Sequence, residues 1–349
     1  MPISKVSEAG LSSDAQFNGF KNRIINGGMN FWQRGTSFTG INNVPTYSAD
    51  RWVGFVSAAV AGQQILQSAS VPSGTGFLYS AAFGRTAGNT NTNSIWFNQL
   101  IESNNMRDLA GQAVTLSFWA RTGANYSGGA ATVRVASGTT ADQSTATYSA
   151  GPATGFTGYA AVINTTQSLT TTWTQYSFTG TVGSTALELA VSFAFTPTGT
   201  AGADDNIYIT GVQLEKGSTA TSFDYRPYGT ELALCQRYFE MSYDIGTAPS
   251  TATTTGMKFI NWAINGANSG AGGVSFQVPK RATPTIATYD GAGTINNVST
   301  VPNGSTTFTN GRAYSGAPYN ISTNSFTHQG QSSVGNVYNF VHFTASSEL

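Results

Sequence analysis

Leu116-Ser117-Phe118-Trp119-Ala120-Arg121 alternates between two kinds of surface. In an extended chain successive side chains point to opposite sides, so Leu116, Phe118 and Ala120 share one face and Ser117, Trp119 and Arg121 the other. That is a strand with one buried side. The same two-residue period recurs through the chain, at Ile95 to Ile101, Thr132 to Val135, Gln175 to Val182, Leu187 to Phe195 and Ile207 to Leu214, and later at Met257 to Ile264, Gly273 to Val278 and Val337 to Phe343. These runs are rich in Val, Phe, Tyr, Trp and Thr, which fit a pleated surface. Turn signals separate them, among them Asn26-Gly27, Asn265-Gly266, Asn303-Gly304 and Asn310-Gly311, where positive φ costs little. Many short strands at this spacing predict an all-β protein built as β-sandwiches or jelly rolls. One helix signal stands out, Gly229 to Phe239, with Leu232, Cys235 and Phe239 on one side.

The helix marks a boundary. Thr210-Gly211-Val212-Gln213-Leu214-Glu215-Lys216-Gly217 followed by Asp224-Tyr225-Arg226-Pro227-Tyr228 reads as a last strand and an ordered exit. The expected organisation is an arm over 1–22, a first β domain over 23–228 and a second over 229–349. The arm is rich in serine and poor in apolar residues, so it needs an external partner to become ordered.

Composition narrows the function. Of the 349 residues only 9% are charged, with 16 basic and 16 acidic side chains and a formal net charge of zero. Nucleic-acid affinity depends on Lys and Arg displacing counterions, and no basic stripe is present; nucleic acid is not expected as a partner. No apolar run approaches the ~20 residues a membrane helix needs, and residues 1–20 lack the basic start and apolar core of a secretory signal. The single Cys235 excludes an intramolecular disulfide. No motif for a cofactor is legible, and none is expected.

Catalytic constellations are equally sparse. The two histidines, His328 and His342, have no recognisable carboxylate motif near them, and no nucleophile elbow or metalloprotease signature occurs. Paired carboxylates of a glycosidase can be remote in sequence, so an enzyme stays open as the rival reading. Asp204-Asp205, followed by Asn206, is the one adjacent acid pair. Its oxygens make a weak candidate for Ca²⁺, a cation that takes six to eight oxygen ligands. Aromatics, 12% of the chain, are the stronger lead: the apolar C–H face of a sugar stacks on Trp or Tyr while amides and guanidinium groups take its hydroxyls. Trp119 and Arg121, facing away from the strand's core side, are the sharpest candidates. In the second domain Trp262, Tyr289, Tyr314, Tyr319 and His342 are the candidate glycan contacts.

Arg23 to Ser37, which contains Ile25-Asn26-Gly27-Gly28-Met29-Asn30-Phe31-Trp32-Gln33-Arg34-Gly35, and then Tyr47-Ser48-Ala49-Asp50-Arg51-Trp52 resemble the opening of a group of bacteriophage tail and tail-fibre proteins. The strand at 116–121, the stretch Ile209 to Tyr228, and Glu231-Leu232-Ala233-Leu234-Cys235-Gln236-Arg237-Tyr238-Phe239-Glu240 fit the same group, so the resemblance spans about residues 23–240. The first domain also looks like jelly-roll carbohydrate-binding modules. The resemblance implies a virion appendage subunit, made in the host cytoplasm, that docks to other virion proteins through residues 1–22. It also implies a homotrimer, host-surface glycan recognition without catalysis, and a second domain that faces the host. A polysaccharide depolymerase and a purely structural decoration or adaptor subunit are the alternatives.

Overall fold

The computed structural model describes residues 20–144, 155–263, 271–313, 318–329 and 336–349. It is an all-β protein with one short helix and divides into two compact units. The described part of the first unit comprises 20–30, 36–144, 155–227 and Leu349; the second comprises 31–35 and the described residues of 228–348.

The first unit contains twelve strands: β1 (Ser37–Ile41), β2 (Thr46–Tyr47), β3 (Val53–Val56), β4 (Gln63–Ser68), β5 (Ser80–Arg85), β6 (Ile95–Ile101), β7 (Ala113–Thr122), β8 (Ala131–Gly138), β9 (Ala160–Gln167), β10 (Thr174–Thr181), β11 (Glu188–Phe195) and β12 (Asp205–Lys216). They form two six-stranded antiparallel sheets, ordered β1-β4-β5-β12-β7-β10 and β2-β3-β6-β11-β8-β9. Strands distant in sequence lie side by side, β5 with β12 and β6 with β11, so the chain wraps between layers in jelly-roll fashion. The inner faces meet through aromatic rings: Phe118 of β7 packs edge-on against Phe193 of β11 at 4.8 Å, and Phe83 of β5 stacks on Phe97 of β6 at 5.4 Å. Trp52 stacks on the other side of this group, 4.7 Å from Phe97.

β12 carries a bulge between Thr210 and Gln213 where the ladder to β7 breaks. Gly211 sits there at φ +61, a conformation glycine adopts without a Cβ penalty. The ladder groups freed by the bulge are taken up by the segment just before β1. The Val212 amide donates to the Gly27 carbonyl at 3.0 Å, and the Asn22 side-chain amide donates to the Val212 carbonyl at 3.1 Å. Asn22, counted with the arm in the sequence reading, is buried in this arrangement; residues 1–19 of that arm lie outside the described residues.

The second unit begins with α1 (Tyr228–Gln236) and continues through β13 (Phe239–Met241), β14 (Lys258–Ala263), β15 (Ala271–Ser275), β16 (Thr285–Tyr289), β17 (Asn297–Pro302), β18 (Thr309–Ala313), β19 (Ser325–Gln329) and β20 (Val337–Ser346). β20 is its axis. Its first half pairs with β14 and β17, its second with β13 and β16. The β15–β19 pair supplies a second layer, with Val274 and Phe326 packed on Val341, Phe343 and Ala345. The segment 31–35 belongs here. The Gln33 side-chain amide donates to the Phe239 carbonyl at 2.9 Å, and Arg34 lies 3.6 Å over the Phe239 ring while pairing with Glu348 at 3.1 Å.

Candidate functional site

The outward face of the β7-containing sheet is divided into a covered half and an open half. Thr115, Ser117, Gln213 and Glu215 point outward from β7 and β12, yet all are buried. The exit segment after β12 lies over them. The Gln213 side-chain amide donates to the Ser222 carbonyl at 3.2 Å, and its oxygen accepts from the Asp224 amide at 2.8 Å. Glu215 accepts from the Thr221 amide at 2.9 Å, and the Thr115 hydroxyl donates to the Gly217 carbonyl at 2.9 Å. The burial of Gln213, Glu215 and Thr115 is tolerated because each has its partner.

The exit segment leaves the other half of the face uncovered, and here the register brings Trp119, Arg121, Gln175 and Tyr208 together, with Trp173 just before β10. Trp119, Arg121, Trp173 and Tyr208 are each partly exposed. The Arg121 guanidinium lies 3.7 Å from the Tyr208 ring centroid and 5.6 Å from that of Trp173. Its Nη1 donates to the Thr122 carbonyl at 2.9 Å, while Nε and Nη2 reach the Ser70 hydroxyl at 3.3 and 3.1 Å. The Trp173 indole N–H approaches the same hydroxyl at 3.4 Å. Three donors converging at such lengths on one oxygen make weak bonds, so Arg121 and Trp173 have donor capacity left for a ligand.

Asp204 orders the far edge. Its Oδ1 accepts from the Tyr208 hydroxyl and the Asn206 side-chain amide, both at 2.9 Å, and Gln64 donates to Asn206 Oδ1 at 3.2 Å. Burial, and after it the bond to Asp204, raises the Tyr208 pKa, which keeps the phenol protonated and donating. On the opposite edge Trp119 approaches the bulge. A Cβ built on Gly211 would lie 2.5 Å from the Phe77 ring and 3.1 Å from Trp119 Cδ1, so only glycine allows both rings their positions. Phe77 continues the aromatic surface through Phe223 and the exposed Tyr225, at 5.0 and 5.5 Å. The result is a run of flat rings and one planar cation, edged by amides and a carboxylate.

The weak Ca²⁺ candidate, Asp204 with Asp205, does not form one cluster in the structure. The two carboxylates lie on opposite sides of the strand's start, as the two-residue period requires, and serve different neighbours. Asp205 is fully buried against Arg85, with Arg85 Nε at 2.6 Å, and also accepts from the Ser127 amide and hydroxyl at 2.7 and 3.0 Å. Arg85 already supplies the positive charge a metal would bring. Its remaining donors tie down four loop carbonyls: Asn89, Asn91 and Gly199 through Nη1, and Thr198 through Nη2. Among the described residues no group of three His, Cys, Asp or Glu side chains could hold a metal ion.

In the second unit the expected contacts are not gathered. His342 is fully buried, stacked 3.8 Å from Tyr243, with Nδ1 3.0 Å from the Ser242 hydroxyl and Nε2 3.1 Å from the Thr253 carbonyl. Both ring nitrogens are engaged inside the fold, and burial lowers the pKa, so this ring is a packing element of the neutral form and offers no surface to a sugar. The same geometry disposes of a serine nucleophile: Ser242 is buried and its hydroxyl also accepts the Phe343 amide at 3.0 Å. Tyr289 is half-buried with its backbone opposite His342, while Tyr319 is exposed and bridges to Thr327. Tyr314 and the side chain of Trp262 lie outside the described residues. A set of rings that the sequence reading missed lies on the β14–β20 face: Phe259, which is 51% exposed, Tyr338, Phe340 and Phe308, with centroids 5.3 to 6.2 Å apart.

Trp173 and Tyr208 are not among the contacts chosen from the sequence, where Trp173 reads as a packing residue. Tyr208 was legible, since it alternates with Ile207 and Ile209, which face the core. Trp173 was not, because it precedes its strand and its position depends on the loop bearing Ser70.

No known protein-family profile matches the sequence, and no curated protein matches it. Solved structures with a similar arrangement of strands include the enzymatically active domain of tailspike protein 4 from bacteriophage CBA120, at 14% identity and TM-score 0.34, over 57% of this chain and 22% of that one. A family 4 carbohydrate-binding module aligns at 18% identity and TM-score 0.33, over 56% of this chain and 99% of the module. The C-terminal family 22 carbohydrate-binding module of Clostridium thermocellum Xyn10B aligns at 13% identity and TM-score 0.32, over 50% of this chain and 90% of the module.

Proposed function

We propose that this chain is a non-enzymatic, glycan-binding subunit of a phage tail appendage, and that Trp119, Arg121, Trp173 and Tyr208 bind the sugar. The observation that carries the reading is the Arg121 guanidinium lying on Tyr208 and near Trp173, beside a half-exposed Trp119, on the half of the sheet that the exit segment leaves open. Flat rings stack on the apolar face of a pyranose, while Gln175, Asn206 and the spare donors of Arg121 take its hydroxyls. The sequence resemblance to phage tail proteins supports the placement on a virion. In such a particle residues 1–19 attach to other virion proteins and a trimer multiplies a weak site, since linked sites gain ~10²–10⁴ in avidity.

The test is binding of the purified chain, with and without residues 1–19, to intact host cells and extracted surface polysaccharide, with reducing ends assayed in parallel. Saturable binding that Trp173→Ala or Arg121→Ala weakens by tenfold or more, without sugar release, is the expected result. Release of reducing ends would replace this reading with a depolymerase, and absence of binding would leave a structural subunit.

A further inference from the structure

The outward face of the other sheet holds a second constellation. Cross-strand pairing aligns Tyr47, Val53, Asn98, Ser192, Arg134 and Asn164 in one row from β2 to β9. Phe97 turns into the core against Phe83, so its neighbours Trp96 and Asn98 point outward. Asn98 and Ser192 are fully buried, yet among the described residues neither side-chain atom of Asn98 nor the Ser192 hydroxyl has a hydrogen-bond partner. Few polar groups in native proteins are left so, and two side by side call for an explanation.

Arg134 supplies part of it. Its Cζ lies 5.4 Å from the Trp96 ring centroid. β8, which bears Arg134, and β6, which bears Trp96, are separated by β11, and each strand step is about 4.8 Å. The Arg134 side chain therefore reaches across β11, over the row that contains Ser192. Its Nε bond to Asn164 Oδ1 is long, 3.3 Å. Such a contact and a cation–π approach at a partly exposed position are both weak.

We propose that Trp96, Asn98, Ser192 and Arg134 form a second saccharide-binding site, with Arg134 as its movable cover. A pyranose with adjacent hydroxyl groups would lay its apolar face on Trp96. Displacement of the guanidinium opens the Asn98 amide, which donates to one hydroxyl and accepts from its neighbour, and the Ser192 hydroxyl, which takes a third contact. The displaced Arg134 then donates to the sugar from the side. This site is distinct from the face bearing Trp119, so either can fail without the other.

The experiment is titration calorimetry of the full chain with D-glucose, D-galactose, N-acetyl-D-glucosamine, D-galacturonate and their β-linked trisaccharides, in a Trp119→Ala/Trp173→Ala background that disables the first face. Saturable millimolar or tighter binding of at least one probe is expected, weakened tenfold or more by Asn98→Leu and by Trp96→Ala, and strengthened severalfold by Arg134→Ala, which removes the cover. Asn98→Leu fills the same space without unpartnered atoms, so it keeps the fold if Trp96→Ala does not. No binding by any probe in that background, or undiminished binding by Asn98→Leu, overturns the proposal.

Discussion

Removal of the Arg85 guanidinium tests how the loops beside the open face are held. Arg85 and Asp205 are both fully buried and meet at 2.6 Å. In Arg85→Met the Asp205 carboxylate keeps its two bonds from Ser127 and loses the Arg85 countercharge, while the carbonyls of Asn91, Thr198 and Gly199 lose the guanidinium donor and that of Asn89 is left with the Ala201 amide. Deleting one partner of a buried pair costs about 3–5 kcal/mol. Each carbonyl that stays dry adds ~1 kcal/mol, though loops can open to water and recover part of this. The expected total is about 4–6 kcal/mol, a large share of the ~5–15 kcal/mol by which domains are stable. Urea unfolding of the full chain reads it through tryptophan fluorescence, because Trp52 is buried against Phe97 in the same unit. With a slope of ~2–3 kcal/mol/M the midpoint falls by about 2 M. Arg85→Lys keeps the charge beside Asp205 but cannot fan out to four carbonyls, and is expected to lose about half as much. Arg85→Met/Asp205→Leu removes both charges and is expected to recover about half of the Arg85→Met loss. A midpoint for Arg85→Met within 0.5 M of the parent, at unchanged slope, would refute the role given to this pair.

Gly211→Ala places a Cβ 2.5 Å from Phe77 on a backbone at φ +61; it should cost about 1–3 kcal/mol and reduce glycan binding by shifting Trp119, both read in one set of thermal and binding titrations. Burial pushes the His328 pKa down to about 4 from 6.5. The unfolded chain therefore binds more protons between those values, and stability present above pH 6.5 declines by about 3 kcal/mol as pH falls to 4; His328→Gln should flatten that decline in thermal melts. Glu188 behaves oppositely, its pKa raised to about 7 from 4.5, chiefly by burial. Its contribution is full below pH 4.5 and is lost as pH rises through 7, so Glu188→Gln should melt at a temperature less sensitive to pH between 5 and 8.

Strands whose residue types alternate are legible in the sequence. Ile95–Ile101 was read to the residue, and β7, β8, β10, β11 and β12 within a few residues. Their alternation of residue types follows the two sides of the pleat; on β10 the outer side is wet, while β11 is buried on both. β5, Ser80–Arg85, is buried throughout like β11 but is not legible, because Ser-Ala-Ala-Phe-Gly-Arg carries one large apolar residue and no alternation of residue types. β9, Ala160–Gln167, failed for a different reason: much of it is exposed and Ala and Thr fill both faces. At the candidate site Trp119 and Arg121 were found because strand geometry turns them outward. His342 alternated as expected along β20, but alternation cannot tell that β13 and β16 flank that end of the strand and that the Tyr243 ring lies over the imidazole. Asp204 and Asp205 stay a weak candidate because adjacency at a strand's start separates side chains instead of pooling them.

The five residues Phe31–Gly35 bear on how such a protein can evolve. They precede nearly all of the first unit in sequence and belong to the second. A single genetic crossover near residue 228 would exchange the later unit for a foreign one while retaining the old Gln33 and Arg34. The newcomer would have to offer a carbonyl where Phe239 offers one, a ring for the guanidinium and an acid in place of Glu348. Recombination is thereby confined to lineages that share this fitting, and other diversification falls to point changes and loop replacement within each unit.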